Sequence, residues 1–227
     1  AEWTATLSAL SLAAAAQAAP TGEQVVRGDV RFERRGNETL IYAGRNSIIR
    51  YRGFDIARGE TVRFVQPDAA SRVLNRIDSA APTRIDGNLL ANGRVYLINP
   101  AGVYFGQGAV VNVAGLYAGA AQITDRDFLG NVDRFTGGTG AVVNEGRIEA
   151  GLVALVGGQV ANLGSIVSPQ GTVVMAAGRD VVVGPRDGNV GVRLTPGGSG
   201  APASVVNTGT VEARGGRVRM TAGDVLG

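Results

Sequence analysis

Hydrophobic residues occur along this chain in short runs, separated by Asn and Gly, and the spacing is that of strands. The pattern is clearest in residues 85–118, IDGNLLANGRVYLINPAGVYFGQGAVVNVAGLYA, which contain no helical repeat. Within them, Val95 and Leu97 alternate with Tyr96 and Ile98. A strand that is apolar on both faces has a core on one side and a covering layer on the other. This pattern predicts such a strand over 95–98.

A second strand is predicted over Ala109–Val113. There Val111 and Val113 fall on one face, and Asn112 between them points to the other. We expect Gly115 to end this run, since an isolated glycine interrupts strand patterns.

Asn99-Pro100-Ala101-Gly102 lies between the two strands and has the composition of a β-turn. Proline presets φ at the second position of a turn, and an Asn side chain at the first position bonds back to the backbone. Because a type II turn needs a positive φ at the third position, Ala101 favours type I.

The carboxyl half contains a pattern that recurs three times. Each copy has an Asn two residues before a Gly, followed by a strand that starts with Gly; the Asn residues are Asn144, Asn162 and Asn207. We interpret the first interval, 18 residues, as one layer of a solenoid and the second, 45 residues, as about two layers with an insertion over Pro196–Pro202. The three Asn residues are then expected to stack at one bend as a ladder of hydrogen-bonded amides.

Strand alternation predicts which side chains of these copies face inward. Arg217 and Arg219 need solvent or partners, so the residues between and beside them face the core. The same register predicts two stacked columns, Val153 with Val173 and Val218, and Leu155 with Met175 and Met220.

These motifs together resemble the secretion domain of two-partner-secretion exoproteins, the family of filamentous haemagglutinins and high-molecular-weight adhesins. The resemblance rests on Asn-Pro-x-Gly after an apolar strand, with Ile-x-Gly-x-Leu-x-Ala-Asn-Gly before it and Val-Asn-Val-x-Gly-Leu after it. It extends upstream through 46–49, 54–56, 62–64 and 75–77. One departure is Ala101, where the family usually has a second Asn.

The resemblance implies an all-β, right-handed parallel β-helix with an amino-terminal cap and short extra-helical strands. We expect the cap at about 21–50 and the β-helix at about 51–227, truncated at its carboxyl end. Parallel crossovers are also right-handed as a rule. Residues 1–20 have an apolar run from Leu7 to Ala16 and are predicted to be the remnant of a secretory signal peptide.

The resemblance also implies a partner and a cellular location. The partner is an outer-membrane TpsB-type β-barrel transporter with periplasmic POTRA domains, and the product is secreted or displayed at the cell surface. Candidate residues for recognition by the transporter are Asn46, Asn75, Asn99, Pro100 and Gly102, although turn formation explains each of them equally well. Receptors on host or bacterial cells would be bound by repeats further along the chain.

Two polar stretches have local interpretations. Pro67 followed by Asp68 favours a short helix over Asp68–Asn75. Residues Asp125–Arg134 are predicted to form a solvated loop outside the main body, because their two early carboxylates lack the further ligands of a calcium loop.

Composition excludes several functions. The chain has no Cys and no His, so thiol nucleophiles, Ser-His-Asp triads and Cys/His zinc sites are excluded. The net charge of +3 is small, and the arginines alternate with acidic residues along the chain. A nucleic-acid-binding surface would instead have clustered positive charge. We therefore expect no enzyme activity, cofactor, nucleic-acid partner or small-molecule substrate. One alternative is a β-helical polysaccharide-degrading enzyme, whose catalytic residues would come from outward-facing charges such as Arg147, Glu149, Glu212 and Arg214. Another alternative is a segment that itself adheres to cell-surface carbohydrate.

Overall fold

The computed structural model describes residues 19–186, 189–195 and 202–223. The predicted signal-peptide remnant, residues 1–20, lies outside the described residues except for Ala19 and Pro20. In the described ranges, none of the helical segments has the length and apolar character needed to cross a membrane.

Most strands stack in parallel and form the three faces of a solenoid, which confirms the predicted β-helix. The first face is a five-stranded sheet of β7 (Thr83–Ile85), β10 (Val103–Phe105), β13 (Ala141–Asn144), β15 (Gln159–Asn162) and β20 (Ser204–Asn207). The second face contains β3 (Glu38–Ala43), β5 (Thr61–Val65), β8 (Asn88–Ala91), β16 (Ser165–Val167) and β21 (Thr210–Glu212). The third face contains β4 (Ser47–Tyr51), β6 (Arg72–Ile77), β9 (Arg94–Ile98), β17 (Thr172–Ala177) and β22 (Arg217–Ala222). Two longer strands, β11 (Val110–Gly119) and β14 (Arg147–Gly157), run through both the second and the third face.

The third face is apolar on both sides, as predicted from 95–98. Val95 and Leu97 belong to the main core inside the solenoid, whereas Tyr96 and Ile98 belong to a second apolar layer outside it. The prediction of a covering layer is therefore confirmed. All four side chains are at most 2% exposed, so this strand is buried on both faces.

The outer layer is covered by segments that leave the solenoid. These are the helix α1 (Asp125–Leu129) and a three-stranded antiparallel sheet of β12 (Asp133–Phe135), β18 (Asp180–Arg186) and β19 (Asn189–Thr195). Phe128 of the helix and Phe135 of β12 are fully buried against the third face. We call α1, β12, β18 and β19 the covering layer.

The cap at the amino-terminal end is built from antiparallel strands. β1 (Gln24–Arg27) pairs with β4, and β2 (Val30–Arg35) pairs with β3. Charged side chains alternate along β2, where Glu33 forms ion pairs with Arg31 and Arg35. Charged residues on an edge strand oppose pairing with another chain, so the cap closes this end of the stack.

The predicted second strand is longer than expected, because Gly115 does not end it. β11 continues to Gly119, and Gly115 pairs in register with Arg94 on one side and Leu152 on the other. A Cβ on Gly115 would lie 3.1 Å from Cγ of Arg94, so the glycine permits this packing. The predicted sidedness is confirmed, since Val111 and Val113 are buried and Asn112 is exposed.

The two predicted columns are in register. Val153 pairs with Val173 and Val173 with Val218, and the same holds for Leu155, Met175 and Met220. The expectation that all six face a closed core is wrong for the last layer, where Val218 is 45% and Met220 40% exposed. Among the described residues no strand covers β20, β21 or β22 on their far side, which explains the exposure.

The interval of 45 residues between Asn162 and Asn207 is one layer and not two. The two residues pair directly between β15 and β20. The additional residues contain the hairpin β18–β19, which joins the covering layer. The insertion that we assigned to Pro196–Pro202 lies largely outside the described residues.

The helix predicted over Asp68–Asn75 is wrong. Oδ1 of Asp68 accepts hydrogen bonds from the backbone N–H of Ala70 (3.1 Å) and of Ser71 (2.8 Å), which closes a turn. The strand β6 begins directly after it, because Val73 and Leu74 pair on both sides within the third face. Side chains of Asp that bond to nearby backbone favour turns over helices.

The solvated loop predicted over Asp125–Arg134 is also wrong in part. Thr124 is the N-cap of α1, and its hydroxyl accepts a hydrogen bond from the backbone N–H of Asp127 at 3.0 Å. Phe128 has no exposed surface. The acidic pair that suggested a polar loop lies in the first helical turn, where carboxylates stabilise a helix.

Truncation of the inward columns tests the layer assignment. Val173→Ala removes buried methyl groups between two layers and is expected to lower the free energy of unfolding by about 2 kcal/mol. Val218→Ala, at the exposed end of the same column, is expected to cost less than about 1 kcal/mol. Urea denaturation of both variants measures the difference, and equal losses would contradict the assignment of Val218 to an open layer.

Candidate recognition site

The turn after β9 is organised by Asn99, which is fully buried. Its carbonyl oxygen accepts from the backbone N–H of Gly102 at 2.9 Å, and its Oδ1 accepts from the backbone N–H of Ala101 at 2.9 Å. Its Nδ2 donates to the carbonyl oxygen of Ala81 and to Oγ1 of Thr83, both at 3.0 Å. The φ of Ala101 is not positive, so the predicted type I turn fits. Every polar group of the Asn99 side chain is therefore bonded within the domain.

Gly102 joins this turn to the neighbouring layers. Its φ is +133°, and a Cβ would lie 3.1 Å from the carbonyl oxygen of Ala141. Its carbonyl oxygen accepts from the backbone N–H of Thr83 at 3.0 Å. The glycine is thus required by the backbone of the fold.

Pro100 is the exposed residue of the turn. It borders a groove of about 460 Å³ between the third face and the covering layer. The groove is lined by the charged residues Arg50, Arg76, Asp78 and Asp125 and by the apolar residues Ile77, Ile98, Ala121 and Ile123, among others. Pro100 is therefore the most accessible member of this turn in the folded domain, with Ala101 partly exposed and Asn99 and Gly102 buried.

Asn75 does not lie in a bend, as the sequence suggested, but in the middle of β6 with its side chain inside the solenoid. It is fully buried, and its Nδ2 donates to the carbonyl oxygen of Tyr96 at 3.0 Å. Its Oδ1 has no hydrogen-bond partner among the described residues. The side chain of Asn75 is therefore held inside the solenoid by its amide nitrogen and is out of reach of a partner in the folded domain.

Asn46 has a left-handed backbone conformation with φ 53° and binds a buried arginine. Its Oδ1 accepts from Nε and Nη2 of Arg72, at 3.1 and 2.9 Å. Nη1 of Arg72 donates to Oδ1 of Asn131 at 2.8 Å, and the guanidinium lies 4.8 Å from the ring centre of Phe128. Arg72 is only 6% exposed, so this cluster ties the start of β4 to the covering layer.

The structure does not gather the candidate recognition residues into one patch. Asn46 precedes β4 at one end of the third face, and Asn99 follows β9 at the other end, about 16 Å further along the strand direction and two layers away. Asn75 lies between them inside the core. The folded domain therefore presents no continuous surface made of these side chains.

The asparagine ladder is formed as three stacked amides. Nδ2 of Asn144 donates to Oδ1 of Asn162 at 2.8 Å, and Nδ2 of Asn162 donates to Oδ1 of Asn207 at 2.7 Å. The first two residues are fully buried. The ladder fixes the corner between the first and second faces.

A network that the sequence analysis missed holds the covering layer to the third face. The rings of Tyr96 and Tyr117 stack at 4.1 Å, and the Tyr96 hydroxyl donates to Oδ1 of Asp133 at 2.8 Å. Burial raises the pKa of the Asp133 carboxyl, and hydrogen bonds from the two tyrosines lower it only in part. The aromatic residues of β9 and β11 were the only indication of this network in the sequence. Their partner Asp133 could not be inferred, because it lies 37 residues beyond Tyr96 in the chain.

The outward charges that suggested an enzyme do not converge. Arg147 pairs with Glu149 on its own strand, and Glu212 pairs with Arg214. Across the stacked strands, the apolar residue Val167 pairs with Glu149 on one side and Glu212 on the other, so the two acidic residues are separated by one layer. Over the described ranges there is no group of three or more acidic residues placed to hold a metal ion.

Comparison with known proteins agrees with this architecture. A family model described as the TPS secretion domain matches residues 16–225. The solved structure of the HMW1 secretion domain from Haemophilus influenzae superposes with a TM-score of 0.80 and 28% identity, covering 88% of this chain and 55% of that one.

Two curated relatives are heme/hemopexin-binding proteins of Haemophilus influenzae. One is 39% identical over 140 residues, which is 60% of this chain and 16% of the relative. The other is 38% identical over 101 residues, 44% of this chain and 11% of the relative. The chain thus matches a small part of the length of these relatives.

A capped parallel β-helix with covering strands, similar to a solved secretion domain, defines the class as a β-helical secretion domain. Since the family model covers most of its length, the chain belongs to the TPS secretion domain family, the domain of two-partner secretion. This family is not an enzyme family, and a TPS domain implies a TpsB-type transporter as partner. TPS exoproteins are exported through the outer membrane.

Removal of the Asn99 side chain tests its structural role. Asn99→Ala leaves the Ala81 carbonyl and the Thr83 hydroxyl without their partner and is expected to cost about 3 kcal/mol. Asn112→Ala, on the exposed side of β11, is the matched control and is expected to change stability by less than about 0.5 kcal/mol. Urea denaturation measures both, and a loss for Asn99→Ala as small as the control would contradict the assignment.

The partly buried Asp133 predicts a pH dependence with a definite sign. Because its folded pKa is raised above the unfolded value, the folded state holds more protons between the two values, and stability falls as the pH rises through that window. Asp133→Asn keeps an oxygen that accepts from Tyr96 and has no charge to bury. Its stability relative to the unmodified chain is expected to rise from pH 4 to pH 7, measured by urea denaturation across that range. A difference that does not change with pH would contradict the prediction, and exposed Asp29→Asn is the control.

Proposed function

We propose that this chain is the amino-terminal secretion and folding-nucleation domain of a large exported exoprotein of the adhesin or haemagglutinin type. Its direct partner is a TpsB-type outer-membrane β-barrel transporter, which engages the chain through periplasmic POTRA domains. The chain is then secreted or displayed at the cell surface. Its own residues perform no catalysis.

The observation that carries the recognition part is the burial of Asn99 with all its polar groups bonded inside the domain. A partner cannot bond to these groups in the folded state. We therefore assign recognition to the unfolded segment around residues 85–118, with Asn99, Pro100 and Gly102 as its centre and Asn46 and Asn75 as further candidates. Addition of an extended segment to a sheet edge is a common mode of peptide recognition.

Folding then removes the recognition segment from reach. The strands β9, β10 and β11 each acquire neighbours on both sides, and Asn99 closes its turn. Folding outside the cell would in this way make release from the transporter irreversible. A solenoid grows layer by layer on a capped end, which supports the nucleation role of the cap and the first layers.

The names of the two relatives concern heme and hemopexin, and we assign any such binding in a full-length product to segments beyond this domain. The chain itself has neither His nor Cys to offer an iron ligand of those types. Receptors on host or bacterial cells are likewise assigned to downstream repeats.

Binding of an unfolded probe tests the recognition proposal. A synthetic peptide of residues 85–118 is expected to bind the purified POTRA domains, and the folded domain is expected to bind at least about tenfold more weakly. The same peptide with Asn99→Ala is expected to lose about tenfold in affinity, whereas Asn112→Ala in the peptide is expected to lose none. Isothermal titration calorimetry measures all four. Equal binding of the folded domain, or an Asn99→Ala peptide that binds like the control, would refute the proposal.

A further inference from the structure

The corner between the second and third faces contains an Asn-Gly dipeptide. Asn92 and Gly93 join β8 to β9, and they form the only Asn-Gly pair in the 227-residue sequence. In an unfolded chain, asparagine is most reactive before glycine, because glycine has no side chain to shield its backbone nitrogen and allows many backbone conformations. The fold therefore contains one asparagine whose chemistry depends on how firmly this corner is held.

The side chain of Asn92 pairs with the backbone of Gln66 as a strand would. Its Oδ1 accepts from the backbone N–H of Gln66 at 2.8 Å, and its Nδ2 donates to the Gln66 carbonyl oxygen at 2.6 Å. The backbone pairing of β5 with β8 ends at Phe64 and Ala91, so this amide continues it around the corner. Asn92 is exposed, and its side chain is therefore held by these two bonds and not by burial.

The peptide groups around Gly93 are held as well. Its carbonyl oxygen accepts from the backbone N–H of Ala114 at 3.1 Å, and the backbone N–H of Arg94 donates to the carbonyl oxygen of Ser71 at 2.8 Å. Gly93 is buried, and a Cβ on it would lie 2.6 Å from Cδ of Gln66. The backbone at Gly93 is thus fixed between the preceding and the following layer.

We propose that Asn92 is a site of spontaneous deamidation that is open in the unfolded chain and closed by folding. In this reaction the backbone nitrogen of Gly93 attacks Cγ of Asn92, and the new C–N bond closes a succinimide ring. The Nδ2 group leaves as ammonia, together with the proton that the backbone nitrogen gives up. Water then opens the ring at one of its two carbonyl groups, which leaves aspartate or isoaspartate at position 92. The only co-reactant is water.

Ring closure is incompatible with the folded corner. Cγ of Asn92 must turn towards the nitrogen of Gly93, so both hydrogen bonds to Gln66 must break and the peptide group between the layers must rotate. The loss of two hydrogen bonds lowers the fraction of side chains that are free to react by about tenfold or more. The folded state is therefore expected to slow the reaction by at least this factor.

The products do not fit the corner. Aspartate has no N–H to donate, so a carboxylate oxygen would take the place of Nδ2, which lies 2.6 Å from the carbonyl oxygen of Gln66. Isoaspartate adds a carbon to the main chain between β8 and β9, and both strands are paired in register with neighbouring layers. A change of register turns side chains to the opposite face. A chain that deamidates before it folds is therefore expected to close this corner poorly.

Mass spectrometry of unfolded and folded chain tests the reaction. The chain is incubated at neutral pH in concentrated urea and, in parallel, in the same buffer without urea, and trypsin then releases residues 85–94 as one peptide. In urea, Asn92 is expected to convert to aspartate and isoaspartate, whereas Asn88 in the same peptide is expected to stay intact. In the folded chain the rate at Asn92 is expected to be at least about tenfold lower.

Two glycine variants in urea provide the matched comparison. Gly93→Ala is expected to slow the conversion of Asn92 by about tenfold or more, and Gly87→Ala, in the same peptide, is expected to leave it unchanged. Equal rates at Asn92 with and without urea would overturn the proposal, as would the absence of conversion in urea.

A variant that carries the product tests the effect on the fold. Asn92→Asp is expected to lower the ratio of folded to unfolded chain by about tenfold or more in urea denaturation. Asn112→Asp, on the exposed side of β11, is the control and is expected to change this ratio by less than about threefold. Equal stability of the two variants would overturn the claim that the product damages the corner. None of these assays contains the transporter, so their outcomes are independent of the proposed recognition.

Discussion

The fold depends on backbone hydrogen bonds between successive layers, kept in register by stacked columns of inward-facing side chains. Each parallel pairing satisfies polar groups of two layers at once and places aliphatic residues such as Val153 and Val173 one above the other. Where a layer lacks a neighbour, as at Val218, the same inward-facing residue is exposed. Order in this molecule is therefore a property of neighbouring layers, and a single layer has no core of its own.

Polar residues in this solenoid serve mainly to position the backbone. Asn99 closes a turn, Asn144 begins an amide ladder, and Asn46 holds the guanidinium of Arg72. Under the proposed recognition of the unfolded chain, residues such as Asn99 would first contact the partner and then bond within the fold. Mutation of Asn99 alone would then change recognition and stability together.

The sequence predicted the features that are local or repeated. Alternation at 95–98 indicated a strand covered on both sides, and the Asn-x-Gly repeats indicated stacked layers. What it did not reveal is non-local: the covering layer is made of segments distant in the chain, and Asp133 meets Tyr96 only after folding. The spacing of the Asn residues was misleading where the β18–β19 hairpin lengthened a single layer. Stacking fixes the corners of each layer, but it does not fix the length of a segment that leaves the solenoid between two corners. At Asp68 and Gly115 short-range rules were overridden by pairing within the third face.

Arg72 makes the burial of one charge a joint property of the solenoid and its covering layer. Its guanidinium bonds Asn46 upstream and Asn131 downstream, so the earliest layers hold a buried cation whose second partner is made 59 residues later. Before Phe128 and Asn131 pack over it, the guanidinium lies on the outer side of the third face and can bond to water, so its charge is desolvated only when both amide acceptors are in place. Packing of the covering layer therefore buries an arginine that is already bonded on both sides, and a change at Asn131 would be transmitted to the start of β4.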